Sequence, residues 1–192
     1  MAPLVILLAL GACGQRDDAV PPQAGAAAPV PKATLAADPF TPRDVSRAAL
    51  VRVEDAVPGA PFAIELPTGL VREAKGAYVT WRWPDGTSNA PSITVMTVDL
   101  PPATLEAAVA AAKLTSDPAL VVATQQQVHD GFLVSVHRPD DHYMATELTR
   151  TFGGQALRCL VVYRTTAKQG PIPARALTTT LAETICVSLA PR

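Results

Sequence analysis

The chain has 192 residues, enough for one domain of ordinary size, and its 48% hydrophobic and 17% charged content excludes an intrinsically disordered chain. The 16 Lys and Arg nearly balance the 17 Asp and Glu, and without a dense basic cluster we expect no nucleic-acid partner. The longest apolar run, Leu4 to Leu10, is far shorter than the about 20 residues that a transmembrane helix needs.

The first residues have the pattern of an export signal, because a short apolar run ends in small residues. Leu10-Gly11-Ala12-Cys13 resembles the lipobox of bacterial lipoproteins, in which a branched apolar residue and two small residues precede a cysteine. In that family a peptidase cuts before the cysteine, whose thiol carries a diacylglyceryl group and whose new amine is often acylated. The resemblance implies a signal peptide at residues 1–12 and lipidation of Cys13. The alternative is an unprocessed apolar N-terminus with a buried cysteine.

The residue after the cysteine bears on location. It is Gly14, whereas the enterobacterial sorting rule uses an aspartate there to retain lipoproteins in the inner membrane. The resemblance therefore implies a protein of the cell envelope that is held on the outer membrane by lipid and faces the periplasm. Two or three acyl chains anchor stably because each buried methylene contributes about 0.8 kcal/mol.

The segment after Cys13 is rich in Ala, Pro and polar residues up to about residue 45 and lacks a sustained helical or strand period. Repeated prolines favour an extended chain, so residues 13–45 are predicted to form a semi-rigid linker. The alternative is an arm packed along the domain. A single domain is then expected over residues 46–192.

Three strands are predicted early in this domain, at residues 62–67, 77–83 and 92–100, from alternating or β-branched apolar residues. The second carries Trp81 and Trp83 on the same face as Val79. Core packing is the simplest interpretation of the two tryptophans, and an aromatic patch that binds a partner or ligand is the alternative.

A helix is predicted from an N-cap at Thr104 through residue 114, followed by four strands at residues 119–128, 132–138, 143–152 and 156–164. Turn residues separate these strands at 130–131, 138–141 and 153–154. A closing helix at 174–189 places Leu177, Leu181 and Ile185, with Ser188 or Leu189, in one stripe toward the sheet. This order predicts an α+β fold, an antiparallel sheet of about six to seven strands covered by helices.

The same order of segments resembles the PsbP-like fold. The resemblance rests on the opening FAIELPTGLV, the strand SITVMTVDL before a helix, the four-strand meander and a closing helix that ends in ICVSL. That fold also occurs in small bacterial lipoproteins, and it implies an accessory or binding role without catalysis.

Two cysteines remain if lipid occupies Cys13. Cys159 lies on a predicted strand and Cys186 near the end of the closing helix. Disulfides persist in exported domains, so we expect these two to form a structural disulfide. Two free buried cysteines are the alternative.

The segment from residue 137 to 142 groups His137, Asp140, Asp141 and His142, residue types that bind divalent metals or polar ligands. The same Pro-Asp-Asp sequence is also ordinary turn chemistry, in which case the histidines only flank a hairpin.

No nucleophile elbow, phosphate-binding glycine loop or HExxH motif is present, so we expect neither an enzyme nor a cofactor. The sequence predicts a lipid-anchored envelope protein that binds a protein partner in an accessory or assembly role. A periplasmic module for a small ligand or metal at the residue 137–142 turn is the alternative.

Overall fold

The computed structural model describes residues 41–84, 89–113, 117 and 119–192, all within one compact unit, Ala37–Arg192. The elements in chain order are β1 (Leu50–Val57), β2 (Ala60–Pro67), β3 (Val71–Lys75), β4 (Tyr78–Arg82), β5 (Ser92–Val98), α1 (Leu105–Ala112), β6 (Val121–Val128), β7 (Gly131–His137), β8 (Tyr143–Phe152), β9 (Gln155–Arg164), α2 (Arg175–Val187) and β10 (Ala190–Pro191). Neither helix in these ranges has the length and apolar character needed to cross a membrane.

The strands form two antiparallel sheets. The larger has seven strands in the order β3-β4-β5-β9-β8-β7-β6, and the smaller has three in the order β1-β2-β10. The predicted α+β class with an antiparallel sheet is confirmed. The sequence did not predict the separate three-stranded sheet, because β1 has one buried residue among its eight and β10 is only two residues long. It also missed β3, whose five residues are all exposed.

The two faces of the seven-stranded sheet are covered differently. Leu133 and Leu148 point into the main core, which includes residues of α2 and β2. The alternate residues Val134, Val136 and Ala145 point to the opposite face and pack against α1. Because side chains alternate along a strand, α1 and α2 lie on opposite faces of this sheet.

The predicted hairpin at Gly153-Gly154 is confirmed, whereas the turn predicted at Asp130-Gly131 lies one residue earlier, because Val128 pairs with Gly131 and leaves His129 and Asp130 as the loop. Asp130, before Gly131, has a φ of 61°, and Gly153 and Gly154 have φ values of 54° and 88°. Two successive positive φ values match the turn that joins twisted antiparallel strands with a two-residue loop. The turn before β8 has Asp141 at a φ of 57°, a conformation that Asp and Asn adopt more readily than most residues.

The predicted cap of α1 is present, since the Thr104 hydroxyl accepts a hydrogen bond from the Ala107 amide at 3.1 Å. The stripe predicted for α2 is confirmed at Ile185 and Leu189, which are buried, and at Leu181, which packs against the core. It is wrong at Leu177, which is 50% exposed, and it left out the buried Thr178 and Thr179. Their hydroxyls donate to main-chain oxygens of Pro173 and Arg175, at 3.0 and 2.9 Å, so these threonines are buried with their polar groups satisfied.

The described residues that precede β1 contact the sheet. Val45 is buried in the main core, and the Tyr163 hydroxyl donates to the main-chain oxygen of Arg43. The sequence places residues 41–45 in the linker. The predicted signal peptide, Cys13 and the rest of the linker lie outside the described residues.

Candidate functional site

The residues of the predicted metal or ligand site lie on the β7–β8 hairpin but point to different partners. His137 Nδ1 is 2.8 Å from the Arg138 main-chain oxygen and 3.7 Å from Asp141 Oδ1. His142 Nδ1 is 2.9 Å from the Thr165 hydroxyl. Across the described residues, no three His, Cys, Asp or Glu side chains come together to hold a metal ion. The four predicted residues therefore do not converge on one point, and Nδ1 of each imidazole is engaged within its own turn or with the next loop.

The hairpin turn has a structural role instead. Asp140 Oδ1 accepts a hydrogen bond from the His142 amide at 3.0 Å, which closes the turn. The Asp141 main-chain oxygen accepts from the Ile172 amide at 2.8 Å, and its carboxylate pairs with Arg175 at the start of α2. Asp141 thus connects the β7–β8 turn to the segment before α2 and to the first residue of that helix.

Trp81 and Trp83 are core residues. They are only 3% and 8% exposed. The Trp81 ring meets Phe62 of β2 edge-on, with the ring centroids 6.2 Å apart, and the Arg43 guanidinium lies over Trp83 at 5.4 Å. The alternative interpretation, an exposed aromatic patch, is wrong because the three-stranded sheet and the segment before β1 cover this side of β4.

The predicted disulfide is present in the structure. Cys159 of β9 and Cys186 of α2 are bonded, with Cα atoms 5.4 Å apart, and both residues are completely buried. The bond therefore joins the central strand of the larger sheet to the closing helix.

A cleft of about 450 Å³ lies between the β1–β2 turn, the β8–β9 turn and the C-terminal strand. Its charged side chains are Asp130 and Arg192. Both are already paired, Asp130 with His129 and Arg192 with Glu54 at 3.0 Å. The lining of the cleft therefore carries one charge of each sign and no net charge with which to select a charged ligand.

The sheet face that carries α1 is only partly covered. The helix packs over β6, β7 and β8, and the same face continues across β9, β5, β4 and β3. Along these four strands its side chains range from half-buried to exposed, apart from the buried Thr80 and Ala156. We call them the open face: Val71, Glu73, Lys75, Tyr78, Thr80, Arg82, Ser92, Thr94, Met96, Val98, Arg158, Leu160, Val162 and Arg164.

One row of cross-strand neighbours runs across the open face. Arg158 of β9 is opposite Met96 of β5, which is opposite Tyr78 of β4, and Tyr78 is opposite Lys75 of β3. Tyr78 is 37% exposed, whereas Met96 and Arg158 are half-buried. Directly opposed side chains lie about 5 Å apart, so these four form a continuous surface.

The next row contains the neutral centre of the face. Leu160 is opposite Thr94, and Thr94 is opposite Thr80, whose hydroxyl lies 2.9 Å from that of Thr94. This hydrogen bond satisfies both hydroxyls where water is partly excluded.

A buried ion pair borders the open face near α1. Glu147 of β8 has a carboxylate oxygen 3.1 Å from Arg158 Nε, and its side chain is 11% exposed. Burial raises the pKa of Glu147, and the positive charge of Arg158 partly offsets this rise. The charge of Arg158 is thus paired with that of Glu147. The arginine side chain itself lies on the open face.

No motif in the sequence marks the open face. A signal was present, since Tyr78 alternates out of phase with the buried Val79, Trp81 and Trp83 of the same strand. Met96 and Leu160 occupy the equivalent outward phase on β5 and β9. The alternation of side chains along a strand does not predict which of the outward-facing positions a helix covers.

No family model and no curated protein matches this chain. The chain is similar to the solution structure of cyanobacterial PsbP (CyanoP) from Synechocystis sp. PCC 6803, with 14% identity and a TM-score of 0.49 over 76% of this chain and 94% of that one. It is also similar to a crystal structure from Bacteroides thetaiotaomicron, with 12% identity and a TM-score of 0.34 over 68% of this chain and 45% of that one. We assign no function from either similarity.

Proposed function

We propose that this chain is a lipid-anchored protein of the cell envelope whose α+β body binds a protein partner through the open face. Its role is accessory or assembly-related rather than catalytic. The observation that carries the proposal is the row of Tyr78, Met96 and Arg158 across three adjacent strands.

The residue types in this row support protein binding. Tyr, Met and Arg are enriched in protein interfaces because each combines a large apolar surface with a polar or adaptable end. The row borders half-buried Leu160 and Val98, and Val71 at the sheet edge is 54% exposed. A partner on this face would remove these apolar groups from water.

The location is supported by two cysteine features. The lipobox resemblance of residues 10–13 implies an anchor at Cys13, and Gly14 implies sorting to the outer membrane facing the periplasm. The disulfide between Cys159 and Cys186 fits an oxidising compartment such as the periplasm. The resemblance of the element order to the PsbP-like fold, which also occurs in small lipoproteins, implies the same kind of accessory role.

Site-specific photocrosslinking tests the partner-binding surface. A photoreactive phenylalanine analogue at Tyr78 is expected to capture one protein in the cells that produce the chain. The matched control carries the same analogue at Leu177, which is 50% exposed on α2 beneath the opposite sheet face. The captured protein is identified by mass spectrometry, purified and titrated against the intact chain. Capture at neither position, or equally at both, contradicts the proposed surface.

Cell fractionation tests the anchor independently. Replacing Cys13 by serine removes the thiol that carries the lipid, so the Cys13→Ser variant is expected in the soluble fraction and the parent chain in the membrane fraction. If the variant still sediments with membranes, the lipoprotein assignment is wrong.

A further inference from the structure

We propose that the partner presents an acidic segment to the open face, an inference that rests on the proposed function. The charges of this face are unbalanced toward positive. Lys75, Arg82 and Arg164 stand against one exposed carboxylate, Glu73. In the part of the chain that the structure describes, no carboxylate forms an ion pair with any of these three cations.

The fourth cation of the face is already neutralised. Arg158 pairs with Glu147, so this arginine contributes apolar surface and hydrogen-bond donors more than net charge. Arg164 is held differently, because its guanidinium lies 5.2 Å from the centre of the Tyr143 ring. Stacking on a ring positions the guanidinium but leaves its full charge in place.

The charges have a defined arrangement. Lys75 belongs to the row that crosses Tyr78 and Met96, at one end of the strands. Arg82 and Arg164 lie at the opposite end, where β4 and β9 finish. Between them lies the neutral centre formed by Leu160, Thr94 and Thr80. Tyr78, level with Lys75, and Arg82 are the two ends of β4, which at about 3.3 Å per residue lie about 13 Å apart, so an extended segment of several residues would span both basic ends.

Arginines elsewhere in the domain differ from the cations of the open face, because several of them form ion pairs. Arginines in several other places have a carboxylate partner: Arg72 with Asp55, Arg138 with Asp117, Arg175 with Asp141 and Arg192 with Glu54. The chain as a whole carries a formal charge of −1. The positive excess of the open face is therefore local, and a partner with carboxylates in the matching places is electrostatically complementary to it.

Charge reversal tests the inference in the crosslinking system. The photoreactive analogue stays at Tyr78, and the chain carries either Arg82→Glu with Arg164→Glu, or the control pair Arg52→Glu with Lys168→Glu. The control residues are exposed and lie off the open face, and they change the net charge equally. We expect the first pair to lower the crosslink yield about tenfold and the control pair to leave it unchanged.

The crosslinked segment itself gives the second readout, because mass spectrometry reads its sequence. A segment with net negative charge, and a yield that falls as salt rises, supports the inference. A neutral or basic segment, or equal yields from the two charge-reversed chains, overturns the acidic partner while leaving partner binding at this face intact. If Tyr78 captures no protein, the proposed function fails and the inference fails with it.

Discussion

Cys159 on the central strand β9 and Cys186 near the end of α2 are joined by a disulfide across 27 residues of sequence. The bond ties the helix to the sheet face opposite the open face, and both residues are fully buried. It therefore holds the last helix in place whatever binds on the other side of the sheet.

Removing this bond is expected to destabilise the domain. A closed loop of 27 residues corresponds to about 3.5 kcal/mol of denatured-chain entropy. The double variant Cys159→Ala with Cys186→Ala should lose about this much unfolding free energy, measured by urea denaturation and compared with the oxidised parent.

Reduction provides the control, because it breaks the bond and leaves both sulfur atoms. Reduced parent and double variant are expected to unfold at similar urea concentrations, both well below the oxidised parent. An oxidised parent no more stable than the double variant would contradict a stabilising role for the bond.

Tyr163 is expected to contribute through its hydroxyl. The group is buried and donates to the main-chain oxygens of Arg43 and Asn89, the latter at 2.9 Å. Burial raises the pKa of Tyr163 above its ordinary value of 10, and the charge of Asp44 adds to the rise. Tyr163→Phe leaves these acceptors without the phenol proton, so unfolding free energy should fall by about 1–2 kcal/mol.

Tyr143→Phe is the matched control for this change, because Tyr143 is only half-buried on the opposite sheet face. Its unfolding free energy should stay within about 0.5 kcal/mol of the parent. Equal losses in the two variants would show that the buried hydrogen bonds of Tyr163 do not account for the effect.

Much of this fold follows from local sequence, because strand alternation and turn residues act over a few positions. Gly153 and Gly154 fix one hairpin by their positive φ values, Asp130 has a positive φ in another, and alternation correctly buries Trp81 and Trp83. The disulfide was also predicted, on the expectation that the domain is exported and that Cys13 carries lipid, which leaves two cysteines and one pairing.

Other features depend on tertiary structure. The predicted stripe of α2 left out Thr178 and Thr179 because they are polar residues, although both are buried and the helix and the loop before it satisfy their hydroxyls. The residue 137–142 group resembled a metal site because sequence shows residue types but not where side chains point. The open face depends on α1 lying over β6, β7 and β8, which no local pattern determines.

Glu147 is expected to give the domain a specific pH dependence. Burial raises its pKa above the ordinary value of 4.5, against the opposing charge of Arg158, so the folded state binds a proton more tightly than the unfolded state. Its stabilising contribution is then fully present below a pH of about 4.5 and is lost as the pH rises through the folded-state pKa. Glu147→Gln removes this contribution.

The measurement is the unfolding free energy of parent and Glu147→Gln between a pH of about 4 and about 7. The parent should lose stability relative to the variant as pH increases. Glu65→Gln, at an exposed carboxylate of β2, serves as the control and should follow the parent curve. Parallel curves for the parent and Glu147→Gln would show that the Glu147 carboxyl does not titrate differently on folding.

Gly131, the first residue of β7, is expected to tolerate no side chain. A Cβ atom there would lie 1.9 Å from the Thr149 main-chain oxygen on β8. A main-chain atom cannot avoid this clash by a change of side-chain rotamer. Gly131→Ala should therefore cost about 3 kcal/mol, because the β7–β8 pairing must shift. Gly69→Ala is the comparison, since Gly69 has a φ of 82° with open space around it, and left-handed strain alone costs about 1–2 kcal/mol. Thermal unfolding of both variants separates the two causes, and a smaller loss at Gly131 than at Gly69 would contradict the steric account.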